Sequence, residues 1–173
     1  TAYLLTDRFG RMIALAVSCG ADDFVHAGNH TRMPCGACRQ VMVEFMAADI
    51  RDPDAAKALV DATAVKFGRL DILVNNAGGS PAADAATASP RFFDSILKLN
   101  LQAPMYMAQA AYPHMVAAGG GSVVNIASVS GARPSPGTAA YGAAKAGLLN
   151  LTQSLAQEWG PQQIRVNAII AGL

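Results

Sequence analysis

An α/β fold, a parallel sheet wound with helices, is predicted by three observations. Short apolar runs alternate with capped helical segments along the whole chain, and the segments keep that order to the end. The composition is 52% hydrophobic and 14% charged over 173 residues, enough for one domain with a real core. The apolar runs lack strict polar alternation, which predicts strands covered on both faces.

The first strand is expected at Arg11–Ser18. A helix from about Cys35 to Met46 and a strand at Ala47–Ile50 then read as strand-helix-strand. Asp52 before Pro53 is an N-cap followed by a first-turn proline, and Gly68 stops that helix after Phe67. Asp71–Asn75 is the next strand. Ser89-Pro90 repeats the start signal before a helix of about 91–118, where Pro104 predicts a kink or break. Gly119-Gly120-Gly121 is a turn into the strand Ser122–Ala127. A helix of about 138–159 ends at Gly160-Pro161, and Ile164–Ile170 is the last strand. His114 is expected on a solvated helix face and Cys19 as a small buried apolar side chain.

The net charge of +1 argues against nucleic acid or an anionic membrane as partner. No apolar run is long enough for a spanning helix and the start lacks a basic leader, so the expectation is a cytoplasmic protein.

Chemistry concentrates in the second half. Tyr141 and Lys145 are four apart on a helix and project from one face. A phenol titrates near about pH 10 in water, and a neighbouring ammonium favours its ionised form. Ser128 ends a parallel strand, at the sheet edge where ligands bind in such folds. A hydroxyl donor facing a phenol with an adjacent cation suits proton transfer at a carbonyl or alcohol oxygen. Tyr-x-x-x-Lys alone is a common pattern, but it stands in an ordered set: Asn75-Asn76-Ala77-Gly78, Lys98-Leu99-Asn100-Leu101, Asn125-Ile126-Ala127-Ser128, Tyr141-Gly142-Ala143-Ala144-Lys145-Ala146-Gly147 and Ile164-Arg165-Val166-Asn167.

That set resembles the short-chain dehydrogenase/reductase family, its ketoacyl-reductase-like branch in particular, over residues 47–173. The resemblance implies a Rossmann-like doubly wound sheet and hydride transfer between NAD or NADP and a small alcohol or carbonyl. It implies Tyr141 as general acid/base, Lys145 on Tyr141 and the nicotinamide ribose, Ser128 on the substrate oxygen, and Asn100 holding a water beside Lys145. Asn75, Ala77 and Gly78 would line the cofactor, with Asp49 and Ile50 flanking the adenine. It also implies a homo-oligomer built on the helices at 91–118 and 138–159. The family's Thr-Gly-x-x-x-Gly-x-Gly turn has no counterpart here, and Ala171 stands where the family has Pro before its substrate-covering segment. The sheet is therefore expected to be incomplete, the dinucleotide to bind weakly and turnover to be low or absent.

Residues 1–46 carry a second resemblance. Pro34-Cys35-Gly36-Ala37-Cys38-Arg39-Gln40-Val41-Met42-Val43-Glu44-Phe45 is similar to the second zinc motif of cytidine deaminases. His26-Ala27-Gly28, nine residues before Cys35, has Gly28 where those enzymes need a proton-shuttling Glu. The pattern argues against a catalytic zinc; Cys35 and Cys38, with His26 and His30, remain candidates for a structural one. The chain thus reads as a deaminase-like fragment, 1–46, grafted near residues 45–48 onto a partial dehydrogenase, 47–173. The alternatives are a non-catalytic α/β remnant and, behind it, a zinc-dependent cytidine deaminase.

Overall fold

The computed structural model describes residues 2–6, 12–17 and 48–172. The helix expected from Cys35 to Met46, the thiols of Cys35 and Cys38, and His26 and His30 lie outside them. So does Cys19.

Five strands form one sheet in the order of the chain, β1 (Ala2–Thr6), β2 (Met12–Val17), β3 (Ile72–Asn75), β4 (Gly121–Ser128) and β5 (Ile164–Ala171). From β2 to β5 the pairing is parallel, with Leu15 opposite Leu73, Leu73 opposite Val123, and Val123 opposite Val166. β1 runs antiparallel to β2, so the sheet is mixed rather than wholly parallel. The two strands are too near in sequence for the crossover that a parallel pair needs.

The strand expected at Ala47–Ile50 does not form among its described residues. Ala48 and Asp49 are irregular and Ile50 is in a turn. Local polar bonds account for this. The Asp49 carbonyl accepts the Asp52 N–H at 3.0 Å, and the Asp49 carboxylate takes the Arg51 backbone N–H and guanidinium. The chain is closed into a turn that feeds the next helix. β2 meanwhile pairs directly with β3, which leaves no slot between them.

Helix α1 (Pro53–Phe67) begins as its sequence predicts: the Asp52 side chain accepts the Asp54 N–H, and Gly68 ends it at φ 76°. Ser89 caps α2 (Pro90–Leu97) by accepting the Phe92 N–H. The helix expected at 91–118 is broken, as Pro104 suggested. A π-turn at Lys98–Gln102 follows α2, and α3 (Ala103–Ala117) follows that. Pro104 has no N–H to give a carbonyl one turn back, and the Ala103 N–H reaches instead to Lys98 in the wider π pattern. After β4 come a single turn, α4 (Val129–Ala132), and the long α5 (Ala139–Trp159).

Burial alternates along β4, where Val123, Asn125 and Ala127 are buried and their neighbours partly open. Among the described residues the strands are thus covered unequally on their two faces, contrary to the reading from their composition. One core joins α1, α3 and α5 to the covered face through Val60, Met107, Met115, Leu155, Leu73 and Val123. His114 is half-buried rather than fully solvated: its Nε2 lies 2.7 Å from Asp61 Oδ1, clasping α3 to α1, while part of the ring still meets solvent.

Candidate active site

The site is built where β4 ends and α5 begins. Ser128 is the last residue of β4 and caps α4, its Oγ accepting the Ser130 N–H at 3.2 Å. Tyr141 lies in the first turn of α5 and Lys145 one turn further on, so both face the same direction. The Lys145 Nζ is 5.6 Å from the centre of the Tyr141 ring. It is almost wholly buried and donates to the Ile126 carbonyl of β4 at 2.7 Å. Burial disfavours its charged form and lowers its pKa to about 8.

Asn100 comes to the same place from the π-turn. Its Nδ2 donates to the carbonyls of Gly79 and Ile96, each at 2.9 Å, and its Oδ1 accepts the Gly79 N–H at 2.9 Å. A fully buried amide thereby fixes the loop after β3. Gly78 has to be glycine here. A Cβ on it would stand 2.7 Å from Asn100 Oδ1 and 3.1 Å from Lys145 Nζ. Gly78, Asn100 and Lys145, distant in sequence, therefore meet at one point.

The remaining sequence candidates are placed differently. Asn75 points inward: its Nδ2 donates to Asn125 Oδ1 at 2.8 Å and to the Pro104 carbonyl at 3.3 Å. Asn125 in turn donates to Thr152 Oγ1 at 2.9 Å, and Thr152 to the Leu148 carbonyl at 2.7 Å. Ala77 and Ile50 are buried, so a ligand would meet their backbone and not their side chains. Asp49 is exposed, and its hydrogen bond from Arg51 holds its carboxyl below the usual range, with Lys98 adding to the effect.

Several residues of the site went unread in the sequence. Asn125 and Thr152 form the inner polar chain. Thr152 does share a face of α5 with Lys145 and Leu148, and that spacing was the available signal. Gly131 and Gly142 let α4 and α5 touch, since a Cβ on Gly131 would lie 2.6 Å from the Lys145 carbonyl carbon. Nothing in a single sequence marks which glycines do this.

Comparison with known proteins agrees with this geometry. The family model of the short chain dehydrogenase matches residues 11–173, across the seam suggested near residue 46. The chain is 40% identical over 134 residues to the 7alpha-hydroxysteroid dehydrogenase of Bacteroides fragilis, covering 76% of this chain and 51% of that protein. It is 39% identical over 128 residues to the 2-dehydro-3-deoxy-D-gluconate 5-dehydrogenase of Escherichia coli K12, covering 73% and 51%. The crystal structure of carveol dehydrogenase from Mycobacterium avium in complex with NAD superposes with a TM-score of 0.68 at 38% identity, over 70% of this chain and 45% of that one. The chain spans about half the length of these relatives. Gly78, Asn100 and Lys145 meet near the end of β4, and the family match runs through residues 11–173: the chain belongs to the short-chain dehydrogenase family.

Proposed function

We propose that this chain is an NAD- or NADP-dependent oxidoreductase acting on a small alcohol or carbonyl, with Tyr141 as general acid/base. The observation that carries this reading is the meeting of Gly78, Asn100 and Lys145 beside the Tyr141 ring. A nicotinamide, when bound, supplies or takes up the hydride. The chain's own residues do the rest. Tyr141 passes a proton to the substrate oxygen, and Ser128 donates a hydrogen bond to that oxygen. Lys145 already gives one N–H to Ile126 and keeps its other donors for Tyr141 and the ribose hydroxyls. Among the described residues, no heavy atom lies within 4 Å of the place of a Cβ on Gly79, which leaves its backbone open to a flat ligand.

Dinucleotide binding is expected to be weak. The sequence after β2, Ser18-Cys19-Gly20-Ala21-Asp22-Asp23-Phe24, offers one glycine and two carboxylates where a pyrophosphate favours several glycines and no negative charge. Each charge-assisted hydrogen bond forgone costs roughly 1.5–3 kcal/mol. Fluorescence titration with NADH and NADPH tests the reading, with a Tyr141→Phe variant controlling for ketone reduction. Binding of neither cofactor at millimolar concentration would favour the non-catalytic reading. Reduction that persists unchanged in Tyr141→Phe would remove Tyr141 from the mechanism.

A second copy of the chain is the proposed protein partner. Ala143 and Ala146 are exposed small residues on α5, which permit another helix to approach closely. Light scattering is expected to give a mass above the monomer's; a clean monomer at high concentration argues against pairing.

A further inference from the structure

Ser128 and Tyr141 lie on different elements, and the chain between them must hold their separation. Three hydroxyls occupy that stretch. Ser135 Oγ donates to Ser130 Oγ at 3.0 Å and lies 2.6 Å from Thr138 Oγ1. Either hydroxyl can donate in the second bond, and Thr138 Oγ1 also donates to the Ser135 carbonyl at 3.4 Å. Each end of this bridge rests on the site. The Ser130 N–H donates to Ser128 Oγ, and its carbonyl lies 2.9 Å from the place of a Cβ on Gly142. Thr138 is the N-cap of α5, and its carbonyl accepts the Gly142 N–H at 2.9 Å. Its hydroxyl makes no bond to the first turn of that helix, because the bridge engages it instead.

We propose that Ser135 is a positioning residue that sets the distance between Ser128 and Tyr141. The inference rests on reading that pair as the proton-transfer centre. Pro134 and Pro136 flank Ser135 and fix their own φ angles, so the loop presents its hydroxyl with little freedom. Among the described residues, backbone bonds also hold the loop, as does the Thr138 hydroxyl on the Ser135 carbonyl. Thr138 N–H donates to the Ser135 carbonyl at 3.1 Å, and Ala83 N–H to the Gly137 carbonyl at 2.8 Å. Those bonds survive the loss of the hydroxyl. Ser135→Ala should therefore leave the fold intact and release the end of α4 from the start of α5.

The test uses the full chain with tyrosines labelled at ring carbon ζ, the Tyr141 resonance being assigned from Tyr141→Phe. In Ser135→Ala the Tyr141 signal is expected to shift or broaden while those of Tyr3, Tyr106 and Tyr112 stay in place. Ser135→Thr, which keeps a hydroxyl, is expected to restore it. A Tyr141 signal unmoved in Ser135→Ala overturns the proposal, as does movement of all four tyrosine signals with a lowered Tm. This readout needs no turnover, so it decides the role of Ser135 even if no oxidoreductase activity is found. Where reduction is measurable, kcat is expected to fall roughly tenfold, equivalent to about 1.4 kcal/mol of barrier, with KM within about twofold. Equal kcat in Ser135→Ala and the parent chain would count against it independently.

Discussion

Lys145 is held under two opposed demands. The role proposed for it beside Tyr141 calls for an ammonium, while its burial opposes one. The pKa of about 8 lies below the ordinary 10.5, so in that window the unfolded chain binds more protons than the folded one. Stability therefore rises with pH across the window. The penalty is complete below about 8 and gone above 10.5, and at full size it is roughly 3 kcal/mol. Lys145→Met is expected to be more stable than the parent at pH 7, less about 1 kcal/mol for the stranded Ile126 carbonyl. That advantage should shrink towards pH 10. Urea midpoints at the two pH values check it, and a difference independent of pH would contradict the argument. Ser128, Tyr141 and Lys145 were legible because strand phase and helix spacing are local. The inward turn of Asn75 was not, since its partner Asn125 lies 50 residues away.

The elements were readable where a side chain acts on its own backbone. Asp52, Ser89 and Gly68 mark helix ends by bonds or conformations within three residues, and all three do so in the structure. The misplaced strand at 47–50 and the unforeseen β1 depend on which strands find partners, and that is decided elsewhere in the chain. The α1–α3 clasp is of the same kind. Asp61 takes hydrogen bonds from Lys57 on its own helix and from His114 on the next, and these lower its carboxyl pKa, the Lys57 bond most. A depressed carboxylate pKa stabilises the fold above the unfolded value and ceases to do so as pH falls through the folded one. The pair is partly exposed, so screening limits its worth. Asp61→Asn should cost less than about 1 kcal/mol at pH 7, and the difference should close as pH falls through the lowered carboxyl value. Thermal melts in low and high salt would measure it; a gap that persists in acid would exclude the carboxylate as its source.

At the scale of the molecule, the sheet is organised around its covered face. Parallel pairing sets Leu73, Val123 and Val166 in one row, and Asn75 beside Asn125 in another. The hydrophobic row would have been foreseen from any α/β pattern; the polar row would not. Its amides are buried and satisfied chiefly by each other and by Thr152. Asn125→Leu leaves the Asn75 amide only its longer bond to the Pro104 carbonyl and should cost about 1–3 kcal/mol in urea unfolding. Asn75→Leu together with Asn125→Leu should recover part of that stability, yet give more than one set of backbone resonances. A double variant with a single sharp spectrum would show that the amides add nothing to uniqueness. The consequence concerns folding. A two-residue slip of β3 along β4 would keep every side chain on its own face but set Asn75 opposite Val123 or Ala127 and leave its amide without Asn125, while the aliphatic side chains would accept the error. The amide pair thus works as a proofreading device, rejecting the near-miss sheet that hydrophobic contact alone would tolerate.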